Sequence, residues 1–287
     1  MTGRFAPSPT GTLHLGNLRT ALLAWLFARS AGSRFLVRME DLDTSRVRPR
    51  VAEEQLADLA AVGLDWDGEV AYQSARQDRY VAAIEDLRAD GRLYECFCTR
   101  AEIREAASAP HGPLPEGHYP GTCLGLTEAA REERRAMRPP ALRVRADGAR
   151  VGFADRLHGQ VKGVVDDFVV RRNDGAVAYN LAVVVDDAAQ GVEEVVRGDD
   201  LLDSTPRQLF LARMLGLPGP LHAHVPLVLG PDGARLAKRH GAVTLREVPA
   251  DAARSWMLDS LGLPADVTPE RFDPAGVPRS PTRFTGT

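Results

Sequence analysis

The chain has 287 residues, 44% of them hydrophobic and 26% charged, with a formal net charge of −3. That balance is typical of a soluble globular protein large enough for one big domain with an insertion or for two modest domains. No apolar run approaches the roughly 20 residues that cross a bilayer, the sequence opens on "MTGRFAPSPTG" without the charged, apolar and small-residue pattern of a secretory signal, and the near-neutral charge leaves any polyanion partner to local arginine patches. A cytoplasmic location is expected.

In chain order, "NLRTALLAWLFARSAG" carries apolar residues at helical spacing and predicts a helix that starts near Gly16 and ends at Gly32. "RFLVRMED" reads as a buried strand with Glu40 and Asp41 at its carboxyl end. "VAEEQLADLAAVGLDW" and "SARQDRYVAAIEDLRADG" predict two further helices, the order expected of a parallel α/β sheet. Around Leu93 the character changes: cysteine and proline appear, and from Ala141 to Val185 short β-type runs are separated by Asp-Gly turns, including "RRNDGAVAYNLAVVV". An antiparallel insertion is expected there. Strand and helix return with "EEVVRGDDLLDSTPRQLFLARMLG", where Ser204, Thr205 and Pro206 predict a helix start. "HAHVPLVLGPDG" predicts another strand, "DAARSWMLDSLG" a last helix, and the Pro/Thr-rich tail a poorly ordered end. The expected fold is α/β in four segments: residues 1–92 and 166–230 as the two halves of one parallel α/β domain, 93–165 as the insertion, and 231–287 as a loop with a short helical region.

Of the 36 basic residues only Lys162 and Lys238 are lysines. Arginine elsewhere is most simply a coding bias, so a retained lysine invites a chemical reason, although Lys162 suggests none. "RFAPSPTGTLHLGNLRTA", residues 4–21, runs a Pro/Ser/Thr/Gly loop into a helix N-terminus, where free N–H groups and the helix dipole favour an anion. Gly11 and Gly16 permit close backbone approach, and His14 adds a donor. Alone, such a loop is weak evidence. Three cysteines, Cys96, Cys98 and Cys123, cluster in the expected insertion. In a reducing compartment they suggest metal more than disulfide, and a tetrahedral zinc site lacks one ligand, for which His111, His118 and Tyr119 are candidates. Spacing alone favours a histidine.

Taken together, "RFAPSPTGTLHLGN" and "RLAKRHG" resemble the two signatures of class I aminoacyl-tRNA synthetases in their glutamyl form, over residues 4 to about 248. Asn17 stands where a second histidine is common, and Ala237 where serine is usual. The resemblance implies a Rossmann-type catalytic domain with an inserted zinc subdomain, and a ligase that uses ATP with magnesium. It implies His14 and Lys238 as catalytic residues; Thr10, Gly11, His14, Gly16, Asn17, Arg235, Leu236, Ala237, Lys238 and Arg239 around ATP; and Arg4, Phe5, Ala6, Pro7, Ser8, Glu40, Tyr179 and Arg197 around glutamate. Adenylyl transfer builds negative charge on phosphate oxygens, which positioned cations stabilise. A guanidinium suits an acidic side chain.

Fewer than fifty residues follow Gly241, too few for an anticodon-reading domain. The resemblance is therefore to short glutamyl-synthetase paralogues, whose Cys-x-Cys, Tyr and Cys ligand pattern implies Tyr119 as the fourth zinc ligand. Such paralogues activate glutamate without tRNA and attach it to the queuosine base in the anticodon loop of tRNA(Asp). Arginines of "REERRAMRPPALRVR" could grip phosphate, although a solvated helix face explains any single one equally well. The alternatives are a truncated synthetase acting on a tRNA 3′ end and an inactive RNA-binding or zinc scaffold. No membrane partner is expected, and a monomer is the default.

Overall fold

The computed structural model describes residues 2–99, 101–103, 118–236 and 243–284. Its first half is a parallel unit. Strand β1 (Thr2–Phe5) leads through helix α1 (Leu15–Ser30) to β2 (Arg34–Met39), which pairs with β1 from Thr2↔Arg34 to Phe5↔Val37. After α2 (Pro49–Ala61) the short β3 (Ala71–Tyr72) joins the other edge of β2, and α3 (Gln77–Ala89) follows. The Ala/Leu-rich α1 is enclosed on most sides: Leu15, Leu18, Leu22, Leu23 and Leu26 are fully buried.

The second half repeats the plan in the opposite direction. Strand β9 (Glu194–Gly198) leads through α6 (Thr205–Met214) to the parallel β10 (Leu221–Val225). Strand β1 lies against β9, and at their starts the Glu193 N–H donates to Thr2 O at 2.9 Å. The chain leaves β1 toward β2 and β9 toward β10, so the strand order reverses where they meet. Ligands of open α/β sheets bind outside the carboxyl ends of the strands at such a switch point. Arg4 and Phe5 occupy that end of β1, and Arg197 and Gly198 that of β9.

The insertion holds an antiparallel sheet of β4 (Leu93–Cys96), β5 (Ala141–Val144) and β8 (Val169–Arg171), with α4 (Glu128–Met137) as an exposed helix. Sheet membership does not follow the expected segment limits. The hairpin of β6 (Arg150–Asp155) and β7 (Gly159–Val164) joins β10 through His222↔Asp155, whereas β8 pairs back to β5. An Asp-Gly turn does form, with φ of 51° at Asp147 and 67° at Gly148, but it links strands of different sheets.

One element differs in kind from its sequence expectation. The stretch "YNLAVVV", read as β-type, begins helix α5 (Tyr179–Ala189). Valine disfavours a helix by up to about 0.7 kcal/mol per residue, but Leu181, Val183, Val184 and Val185 are all buried here, and burying each is worth about 1.5–3 kcal/mol. Packing on several sides decides the outcome. After α7 (Ala250–Ser260), Phe272, Val277 and Phe284 of the tail enter the main core, and β12 (Thr282–Arg283) pairs with β11 (Val228–Leu229). Residues 285–287 lie outside the described residues. No described helix is long and apolar enough to cross a membrane.

Arg38, fully buried on β2, donates to Asp187 Oδ1 at 2.7 Å, to Gln190 Oε1 at 2.8 Å and to Glu40 Oε1 at 3.3 Å, so a charged network ties β2 to α5. Arg38→Met leaves those carboxylates buried without their cation and is expected to lower unfolding free energy by about 3–5 kcal/mol, measured by urea denaturation.

Candidate active site

The loop between β1 and α1 is held from three sides. Glu40 N–H donates to Pro7 O at 2.9 Å, Arg48 N–H to Pro9 O at 3.3 Å, and the Gln55 amide to Ser8 O at 3.1 Å and Gly11 O at 2.7 Å. His14 is the N-cap of α1. Its Nδ1 accepts from Asn17 N–H at 3.3 Å, while Asn17 Oδ1 accepts from His14 N–H at 3.3 Å, a reciprocal capping box. Because Nδ1 is the acceptor, the neutral ring carries its proton on Nε2. Gly16 allows this: a Cβ there would lie 3.1 Å from the imidazole.

The expectation of a helix end rich in free donors needs correction. Leu15 N–H donates to Val243 O, Asn17 N–H to His14, and Leu18 N–H to His14 O. Among the described residues only the Gly16 N–H of the first helical turn keeps no partner. The helix dipole persists, and the His14 imidazole caps that end.

The other end of the cleft is built from buried charge. Arg4 Nε donates to Asp187 Oδ1 at 3.4 Å. Burial works against ionisation of Asp187, yet Arg38 and Arg4 hold its pKa below the usual carboxylate value. Glu40 is less well matched. Burial outweighs the attraction of Arg38 and Arg4 and pushes its pKa up. Arg38 lies closer to Asp187 than to Glu40, so the Glu40 carboxylate would gain from another cation. Arg197, 5% exposed, is the converse case. Its partners are His224 Nε2 at 3.1 Å, Thr205 Oγ1 at 2.7 Å and Leu201 O at 3.4 Å, all neutral, and it forms no ion pair among the described residues. Burial therefore lowers its pKa.

These groups share one cleft of about 700 Å³, lined by Arg4, Phe5, Ala6, Pro7, Ser8, Thr10, Gly11, His14, Gly16, Asn17, Glu40, Tyr179, Arg197 and Arg235. Tyr179 is 40% exposed at the first turn of α5, not a core residue. Arg235 pairs with Asp200. Leu236 is a core residue, 1% exposed, whose N–H donates to Val228 O at 2.8 Å. Ala237, Lys238 and Arg239 lie outside the described residues. On the far side of that segment, Thr244 forms a β-bridge with His14.

Sequence reasoning missed Gln55, Asp187, Thr205 and His224. Gln55 carried a signal, since it shares the buried face of α2 with Val51, Ala52 and Leu59, and a polar residue at a core-facing position calls for partners. The Ser204–Pro206 helix start was foreseen, but Ser204 makes no side-chain cap and the Thr205 hydroxyl serves Arg197.

Away from the cleft, the Sγ atoms of Cys96, Cys98 and Cys123 lie within 4.8 Å of one another. The Tyr119 hydroxyl sits 3.4 Å from Cys96 Sγ and 3.6 Å from Cys98 Sγ and accepts from Cys123 N–H at 2.9 Å. The Cys98–Cys123 separation of 3.5 Å is near the roughly 3.8 Å edge of a thiolate tetrahedron with metal–sulfur bonds of about 2.3 Å. Burial pushes the Cys98 thiol up to about 12; burial also opposes the Cys123 thiolate, but hydrogen bonds from Phe97 N–H and Tyr119 bring it below the usual value. His118 Nε2 turns instead to Val164 O at 3.3 Å. His111 lies outside the described residues.

The family of class I tRNA synthetases (E and Q), catalytic domain, matches residues 1–260. A glutamyl-Q tRNA(Asp) synthetase of Nocardia farcinica is 62% identical, covering 99% of this chain and 93% of the relative. The chain belongs to the glutamyl-Q tRNA(Asp) synthetase family. Another glutamyl-Q tRNA(Asp) synthetase, from Symbiobacterium thermophilum, is 49% identical over 99% of this chain and 96% of its own. Among solved structures, a glutamate tRNA ligase of Elizabethkingia meningosepticum in complex with its amino acid superposes with a TM-score of 0.83 at 26% identity, over 99% of this chain and 67% of that one. The mixed-sheet α/β fold is thus that of class I synthetases.

Cap and donor roles at His14 are separable. His14→Ala is expected to cost about 1 kcal/mol of stability, measured by thermal denaturation, whereas His14→Asn, itself a good cap, is expected to retain stability while losing the Nε2–H donor.

Proposed function

We propose that this chain activates glutamate with ATP, without tRNA, and transfers the glutamyl group to the queuosine base at the wobble position of tRNA(Asp). Arg197 carries the proposal. A buried guanidinium with only neutral partners is costly until an anion arrives, and it faces the same cleft as the under-neutralised carboxylate of Glu40. An amino acid with an acidic side chain meets both demands: its side-chain carboxylate at Arg197 and Arg4, its ammonium at Glu40.

The α-carboxylate oxygen of glutamate then attacks the α-phosphorus of ATP. An oxygen–phosphorus bond forms, the bond from the α-phosphorus to the departing pyrophosphate breaks, and glutamyl-adenylate remains. Negative charge grows on phosphate oxygens, toward which the His14 Nε2–H can donate in a low-dielectric site. Lys238, two residues after the core anchor Leu236, is assigned to the same phosphates; the Thr244–His14 bridge supports this. Magnesium, bound with ATP, would supply further charge neutralisation. In the second step a hydroxyl oxygen of the queuosine cyclopentenediol attacks the acyl carbon: an ester bond forms, the acyl–phosphate bond breaks, the hydroxyl proton is released, and AMP leaves. A neighbouring cleft of about 800 Å³ shares Ser8, Glu40 and Tyr179 with the first and reaches Arg138, Arg143 and Arg172. It offers the base a route to the acyl group, with cations for flanking phosphates.

Zinc fits the Cys96, Cys98, Tyr119 and Cys123 set as a closed structural site. When bound it would cross-link β4 to the segment before α4. The Tyr119 ring, with the Arg143 guanidinium 3.6 Å over it, would relay that order to the second cleft.

Radiolabelled glutamate with ATP is expected to label queuosine-containing tRNA(Asp) at the base and leave queuosine-free tRNA(Asp) unlabelled. Label at the 3′ end would favour a synthetase acting on the terminal ribose. Absence of glutamate-dependent ATP–pyrophosphate exchange would favour an inactive scaffold. Lys238→Ala and His14→Asn are expected to lower that exchange by about 10²–10³-fold. Stoichiometric zinc is expected by atomic absorption and should be lost in Cys123→Ser, with Tyr119→Phe releasing it to a chelator faster than the unmodified chain.

A further inference from the structure

The imidazole of His224 is fully buried on β10, beside Arg197. Arginine has no acceptor, so the 3.1 Å contact from Arg197 Nε requires a lone pair on His224 Nε2. The ring's other nitrogen, Nδ1, lies 2.7 Å from Asp155 Oδ2. Asp155 also accepts from the N–H groups of Leu157 and His158 at 3.0 Å and of His224 at 3.1 Å. Those donors need an ionised carboxylate, which burial opposes but the bonds from His224, His158 and Leu157 keep below its ordinary pKa. An ionised Asp155 cannot donate, so the proton belongs on Nδ1. Burial and the charge of Arg197 lower the His224 pKa against the pull of Asp155, favouring the neutral ring. Both sides of the imidazole therefore specify one tautomer.

The consequence appears at the guanidinium. Arg197 is held along its Nε and Nη2 edge by His224, Thr205 and Leu201, and Nη1 has no protein partner among the described residues. Arg4 and Arg38, by contrast, are oriented by Asp187, which also cancels charge. A carboxylate in the place of His224 would compete with any substrate anion.

We propose that His224, set by Asp155 in its Nδ1–H tautomer, is a positioning residue that orients Arg197 without neutralising it, so that the full guanidinium charge is kept for the side-chain carboxylate of the substrate. This rests on the binding of glutamate at Arg197 proposed above. Asp155 acts one step further back, on the tautomer.

Glutamate-dependent ATP–pyrophosphate exchange without tRNA is the test. His224→Leu removes the acceptor and is expected to raise KM for glutamate by about 10- to 100-fold, with KM for ATP within about twofold of the unmodified chain. His224→Gln places a neutral acceptor near the position of Nε2 and is expected to recover most of that loss. In the unmodified chain, nitrogen-15 NMR of the histidines is expected to show His224 with a protonated Nδ1 and an unprotonated Nε2 at neutral pH. The role of His224 is overturned if His224→Leu leaves the glutamate KM unchanged, if the two KM values rise together, or if His224→Gln is no better than His224→Leu. Should His224→Leu fail to fold by circular dichroism, the NMR result decides, and an Nε2–H or doubly protonated ring overturns the proposal. No exchange by the unmodified chain would instead overturn glutamate activation itself, leaving the tautomer measurable.

Discussion

The contact between Arg38 and Asp187 holds the site together. It is a 2.7 Å ion pair between a fully buried guanidinium on β2 and a buried carboxylate near the end of α5. Asp187 turns to Arg4 on β1 as well, and Arg38 to Glu40 at the end of β2, so a single network sets the directions of both side chains. Asp186, next along α5, takes the Tyr80 hydroxyl at 2.7 Å and the Arg76 guanidinium, extending the network to α3. In a low-dielectric interior each member is costly to leave unmatched. The arrangement is accordingly cooperative.

Against this matched background, two groups are left short. Glu40 receives less of Arg38 than Asp187 does, and Arg197 has no carboxylate at all among the described residues. An amino acid with an acidic side chain brings the opposite of each. Under the proposed function, selectivity follows from the cost of burying charge more than from the number of contacts. The reversal of strand order where β1 and β9 meet opens this cleft, and the same loop that leaves β1 carries His14 into it. Under the proposed function, amino acid and nucleotide are served by neighbouring segments of one strand–loop–helix unit.

Parts of the chain whose structure depends on near neighbours were legible from residue order. Glycines, prolines and His14 marked the loop and start of α1, and three cysteines marked the metal-type cluster, whereas Tyr119 beside them was implied only by the family resemblance. The reading failed where a residue's state depends on distant partners. Val183–Val185 look like strand in isolation and become helix because α5 is enclosed. Free helix-end amides were expected, yet Val243, more than 200 residues away in sequence, takes the Leu15 N–H.

By itself the sequence determined which chemical groups exist and which local conformations they favour: a capped helix behind a glycine-rich loop, arginines at strand ends, thiols at Cys-x-Cys spacing. These follow from backbone sterics and short-range hydrogen bonding, which act over a few residues. Only the tertiary structure decided which charges are neutralised. Whether the charge of Arg38 is matched and that of Arg197 is not depends on Asp187 and His224, placed there by strand pairing and helix packing across more than a hundred residues for the first pair and 27 for the second. Charge balance in a buried site is a property of the assembled neighbourhood, because electrostatic energy falls with distance in space and takes no account of distance along the chain.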